Sequence, residues 1–202
     1  MYRRMPVVNW LLFALMAYSA LHIYSQSTHF QLKCIVREHD NKKYCVRDRT
    51  RLNDAVELLA TCINNLDELV AYCNQHHGSR PCVVRLVKNY DPSRIRETLP
   101  TSKLTAYSQN KGETIALCLN KNKSDEQELI DLNTLMFVAI HELAHISSKS
   151  IGHTPEYWQN FKFLLVRAKE IGVYTPVDYS DKPSHYCGQE ITDNPYFDTL
   201  NK

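Results

Sequence analysis

The chain has 202 residues, enough for one catalytic domain and too few for two once its apolar first segment is set aside. Apolar residues at 44% and charged residues at 23% exclude a disordered chain, and a net charge of +2 excludes the strongly basic profile of a dedicated nucleic-acid binder. Its seven cysteines fall at no CxxC spacing, so neither a cysteine zinc knuckle nor a thioredoxin-like pair is indicated. An odd number leaves at least one thiol unpaired. Cys34, Cys45, Cys62 and Cys73 lie close together, as disulfides in an oxidising compartment or as small buried hydrophobes in a reducing one.

From Val7 to Tyr24 run 18 residues with no acidic or basic side chain other than His22, preceded by Arg3 and Arg4. That is the minimum for a membrane span, and Trp10, Tyr18 and Tyr24 suit its interfacial belts, although Asn9, Ser19 and His22 weaken it. An uncleaved anchor is expected over a signal peptide cut near Ala17-Tyr18-Ser19, because Leu21-His22-Ile23-Tyr24 prolongs the apolar stretch past that cut. An apolar core helix is the third reading. The upstream arginines favour a cytoplasmic N-terminus, but Lys33, Arg37, Lys42 and Lys43 oppose it, which leaves the side of the membrane open. The chain thus divides into residues 1–25, a cytoplasmic stub and transmembrane anchor, and residues 26–202, a globular domain.

Residues 33–51 carry seven Lys or Arg against three acids, a solvated surface rather than a lipid or nucleic-acid patch. Leu52, Val56, Leu59, Ile63, Leu66, Val70 and Cys73 follow helical spacing and predict a long amphipathic helix over 51–76, with His76 and His77 at its C-terminal end. Val83 to Val87 reads as a short strand, the stretch to Thr105 with Pro92 and Pro100 as loop, and Gly112 to Leu119 as a second strand. A charged connection with Asp125, Glu126 and Glu128 leads to a helix over about 132–147.

That helix contains His141-Glu142-Leu143-Ala144-His145 inside an otherwise apolar run, and such groups are costly to bury unless something pairs them. Two histidines four apart are separated by about 6 Å of rise and 40° of rotation, the bite of a single zinc ion. Glu142 points about 100° away from His141, out of reach as a ligand but able to take a proton from a water activated by that ion. Gly152 can end a helix and Thr154-Pro155 can start another, so His153 at the junction is the expected third ligand; Glu156 and Glu170 are the acids that could replace it. Tyr157, Tyr179, His185 and Tyr186 are candidate oxyanion donors, with packing the commoner role for each.

HELAH followed by GHTPEYW resembles the SprT-like and WLM-type zinc metallopeptidases, and the chain also looks like small membrane-anchored metallopeptidases of large DNA viruses. The likeness covers about residues 105 to 195, including Lys111-Gly112-Glu113, the helix from Asn133 to His145, Gly152 to Trp158 and Tyr186-Cys187-Gly188. It implies an α+β, minimal zincin-like domain: a small mixed sheet, the HExxH active-site helix and backing helices, joined here to the N-terminal transmembrane helix. In that scheme Gly112 to Leu119 is the edge strand facing the cleft, His141, His145 and His153 hold Zn2+, and Glu142 is the general base. The expected function is hydrolysis of peptide bonds in a peptide or protein substrate. The competing reading is a non-catalytic anchored module with a structural metal, and a hydrolase of some other bond is the third.

Overall fold

The computed structural model describes residues 7–27, 31–122 and 128–198; Arg3 and Arg4 of the stub, and Asp125 and Glu126 of the charged connection, lie outside them. Helix α1 (Val7–Gln26) is long and apolar enough to cross a membrane, and the span Val7–Ser25 is 0% buried, so it is no part of the domain's core. A hairpin of β1 (Lys33–Val36) and β2 (Lys43–Val46) follows, then α2 (Leu52–His77). The periodic residues of α2 form its buried face, and Asp54 in the first turn and His76 and His77 in the last suit the helix dipole.

The segment Val83 to Val87 is helical rather than extended, within α3 (Pro81–Asn89). Pro81 sits in the first turn, where its missing N–H costs nothing, and Val83 and Leu86 are buried while Val84 and Val87 are exposed. Burial at a three-residue spacing against α2 and the helix Leu132–Ser147 outweighs the β propensity of three valines. The expected loop after it contains a 3-10 turn (Pro92–Arg94) and β3 (Ile95–Glu97).

The central sheet is small and mixed, in the order β3, β5 (Thr114–Leu117), β4 (Ala106–Gln109), with β3 parallel and β4 antiparallel to β5. Strand pairing in the segment Gly112 to Leu119 is thus confined to Thr114–Leu117, and that strand is central, not the edge. The edges are β3 and β4, both missed in the sequence; Ala-Tyr-Ser-Gln of β4 shows no apolar alternation. Gly112 shapes the β4–β5 turn: at φ +108°, a Cβ there would lie 2.5 Å from the Asn89 carbonyl oxygen.

Helices α4 (Leu132–Ser147) and α5 (Pro155–Glu170) complete the core, and α4 packs on α5, α3 and α2 as well as on the sheet. A terminal hairpin, β6 (Ser184–Tyr186) and β7 (Gln189–Ile191), is tied to the end of β5 by the Cys118–Cys187 disulfide. Of the early cysteines only Cys34 and Cys45 pair, across β1 and β2; Cys62, Cys73 and Cys82 are buried thiols. The architecture is therefore α+β with small sheets and one apolar N-terminal helix.

Two members of the basic run are not surface charges. Arg47 and Arg49 are buried around Glu97, which is 0% exposed and pairs with both. Arg47 also donates from Nε to the Thr98 carbonyl at 2.8 Å, and Arg49 from Nη1 to Asn120 Oδ1 at 2.5 Å. This pins the end of β2 to the end of β3 and to the segment after β5. Glu97→Ala would leave two buried guanidinium groups without their carboxylate and should cost about 3–5 kcal/mol. Asp48→Ala, which breaks the exposed Lys33–Asp48 pair at 3.6 Å, should cost about 1 kcal/mol or less. Urea unfolding of residues 26–202 checks the ranking, and equal losses would contradict it.

Candidate metal centre

Asp131 caps α4 by accepting from the Thr134 N–H at 2.9 Å, and nearly every side chain from Thr134 to Ser147 is buried. The partly open face carries His141 and His145. After Ser147 the chain turns through Ser148 to Thr154, with Gly152 at φ +80°, and Thr154 caps α5 as its sequence predicts. His153 is thereby swung back over α4. Its Nε2 lies 3.2 Å from His141 Nε2, which in turn lies 3.3 Å from His145 Nε2. One nitrogen from each ring falls within 4.8 Å of the other two.

Those separations fit a zinc ion. Donors about 2.0–2.1 Å from tetrahedral zinc are roughly 3.3–3.4 Å apart along each edge, so three imidazoles can occupy one face and leave the fourth position open. Burial, with His145 and His153 as neighbours, pushes the His141 ring down to about 3; burial, with His153 and Lys111, pushes His145 down to about 4. Both rings are therefore neutral near pH 7, the form that ligates metal.

Glu142, 4% exposed, sits beside this face. Burial pushes its carboxyl up to about 8, against hydrogen bonds from the backbone N–H and hydroxyl of Ser108, which favour the ionised form. Ser108 belongs to β4, so the edge strand holds the acid in place. Nothing in the sequence marks Ser108 for that role.

The loop carrying His153 is held by groups that do not point at the cluster. Glu156 accepts from the N–H groups of Lys149 and Ser150, both at 3.0 Å, and from Arg85 Nη2 at 2.9 Å. The two backbone bonds are the main reason its carboxyl is pulled down to about 2. Glu156 is thus a loop staple and not a ligand, while Glu170 pairs with Arg167 at 2.7 Å at the far end of α5. Lys111 Nζ donates to the carbonyls of His145, Ser148 and Ser150 at 3.0, 2.8 and 2.5 Å, closing the C-terminus of α4.

Of the candidate oxyanion donors, Tyr157 is fully buried behind the cluster, its ring 4.4 Å from that of His145, and Tyr179 is buried against Phe137 at 5.0 Å. His185 is exposed on β6 and lies outside the cleft lining. Tyr186 reaches the cleft, and its hydroxyl accepts the Cys118 N–H at 2.8 Å.

Two clefts of about 450 and 400 Å³ flank the histidines. Tyr107, Ser108, Lys111 and Ile151 line the first, and Leu104, Phe137, Tyr186 and Gln189 line the second. A larger cavity of about 510 Å³ lies by β2 and β3, lined by Lys42, Arg94 and Arg96 among others; it touches none of the three histidines.

Two outcomes follow for the isolated domain. His141→Ala or His145→Ala should remove most of about one bound zinc per chain and His153→Ala should lower it, whereas Glu156→Ala should leave it nearly unchanged. Elemental analysis after dialysis checks this, and the reverse ranking of the last two would transfer the ligand role to the carboxylate.

The metal-free fold should be most stable near pH 6.5. Below the ordinary histidine value of 6.5 the unfolded chain binds protons that His141 and His145 refuse when folded, so acid destabilises the fold. Glu142 has the opposite sign: it ionises from 4.5 when unfolded but near 8 when folded, so stability drains as pH rises through that window. Melting curves of the apo domain should show Glu142→Gln abolishing the decline between pH 6.5 and 8. Parallel wild-type and Gln curves there would contradict the burial of this acid.

No protein-family model matches the chain, and no solved structure matches it. It is similar to the uncharacterized protein R325 of Acanthamoeba polyphaga mimivirus, 26% identical over 174 residues that cover 84% of this chain and 87% of that protein. It is also similar to the uncharacterized protein 136R of Invertebrate iridescent virus 6, 40% identical over 60 residues, 30% of this chain and 34% of that one. Uncharacterized protein 042R of Invertebrate iridescent virus 3 is 41% identical over 71 residues, 35% of this chain and 43% of the relative. Each of these relatives is a viral protein, the origin expected from the anchored resemblance.

Proposed function

We propose that the chain is a membrane-anchored zinc metallopeptidase of minimal zincin type, with His141, His145 and His153 as ligands and Glu142 as general base. The observation that carries this reading is the spacing of the three Nε2 atoms, 3.2 and 3.3 Å along two edges, next to a buried acid in an open cleft. Three imidazoles without sulfur or carboxylate form a donor set suited to catalytic zinc, whereas closed structural sites use four protein ligands, frequently cysteine.

When bound, zinc polarises the scissile carbonyl and acidifies a water. The remaining chemistry belongs to the chain. The two Ser108 donors favour the Glu142 carboxylate, as a cation held by the three histidines also would. Glu142 then accepts the proton of the attacking water and passes it to the leaving amine.

Strand β4 can hold the substrate. The Thr105 carbonyl accepts from the Cys118 N–H at 3.0 Å, and the alternation of an antiparallel ladder turns the backbone groups of Ala106 and Ser108 outward. Ser108 spends its N–H on Glu142. Ala106 and the Ser108 carbonyl remain to pair with an extended peptide. The exposed α1, of spanning length and composition, supports the anchor.

Glu142→Gln keeps size and helix propensity but removes the base, so bound zinc should persist while turnover falls by about 10² to 10⁴. The assay is cleavage of an unfolded protein that wild type cuts and phenanthroline blocks. Equal rates for both proteins would leave a metal-stapled module as the better reading.

A further inference from the structure

Every residue of α1 from Val7 to Tyr24 is exposed, and burial begins at Ser25, where the helix meets the domain. The Thr101 hydroxyl lies 2.7 Å from the Ser25 carbonyl oxygen and 2.9 Å from Gln31 Oε1, and Gln31 Nε2 donates to the Tyr24 carbonyl at 2.6 Å. Leu32, the next residue, is buried. The end of the helix is thus fastened to the loop that leads into β4. That loop is itself fixed at both ends: Thr98 donates its N–H to the Leu117 carbonyl and is gripped by Arg47, Leu99 is buried, and the Thr105 carbonyl accepts from Cys118.

Twenty helical residues rise about 30 Å, the hydrocarbon thickness, so a spanning α1 puts its last turn at the bilayer surface. The five Cα steps from Thr101 to Ala106 reach at most about 18 Å. Lys103 and Leu104 between them are exposed, a cation beside an apolar side chain as at a headgroup boundary, and Leu104 lines the same cleft as His141 and Glu142.

We infer that the cleft operates against the membrane surface and that its substrates are polypeptides anchored in the same bilayer, cut within roughly the first ten residues outside it. The inference rests on the peptidase and anchor readings above. A chain leaving the bilayer in extended form passes β4 at that height, so substrate height, not sequence alone, selects what is cut.

The test uses the zinc-loaded full chain in phosphatidylcholine vesicles with a single-span reporter. An unfolded casein segment is placed either roughly eight or roughly sixty residues from the reporter's span, and the near reporter should be cut about tenfold faster, because effective concentration falls with tether length. Inserting a flexible Gly/Ser segment after Ser27 should erase that difference while free casein is cut as before. Equal wild-type rates on both reporters, with free casein cut, overturn the placement and leave the peptidase reading standing. Recovery of the full chain in the carbonate supernatant overturns the placement by removing the anchor. Failure to cut any casein overturns the peptidase reading and this inference together.

Discussion

Helix α4 has to serve as core while leaving His141 and His145 on a partly open face, and the rest of the domain is arranged around that conflict. Packed by α2, α3, α5 and the sheet, it buries nearly all of its side chains, and the same exclusion of water withholds protons from His141 and His145. Desolvation therefore keeps both rings in the neutral form that a metal would require.

Around this helix the supporting contacts come from distant parts of the chain. Lys111, on the β4–β5 turn, gathers three carbonyls at the helix end, and Gly112 beside it makes that turn possible by its close approach to Asn89. Arg85 of α3 bonds both the Ser147 carbonyl and Glu156. Glu156 in turn orders the loop from which His153 projects. His153 is thus positioned by residues that never touch the histidine cluster, and their correct geometry depends on α3 being a helix.

The pattern of what was legible follows from the range of each signal. The α4 boundaries, the start of α5, the Gly152 turn, the Thr154 cap and the convergence of His141, His145 and His153 are local matters of spacing and capping, and the chain states them openly. The long α2 likewise announces itself by its apolar period. Other features were hidden because they depend on neighbours remote in sequence. Val83 to Val87 is helical because α2 and α4 receive Val83 and Leu86; β4 is recognised only by its partner β5; and Cys118 meets Cys187 across 69 residues. Ser108 carries no local mark of its tie to Glu142, and neither buried arginine near Glu97 could be told from its exposed neighbours.

The Cys118–Cys187 bond has a topological result of its own. All three clustered histidines, Glu142, α4 and α5 lie between the two half-cystines, so the candidate site is carried on a closed covalent ring. A single nick anywhere from residue 119 to 186 opens that ring without dividing the protein. The nicked molecule gains only the water of hydrolysis and keeps all three histidines on one connected body, and its two pieces part only when a reductant opens the cystine.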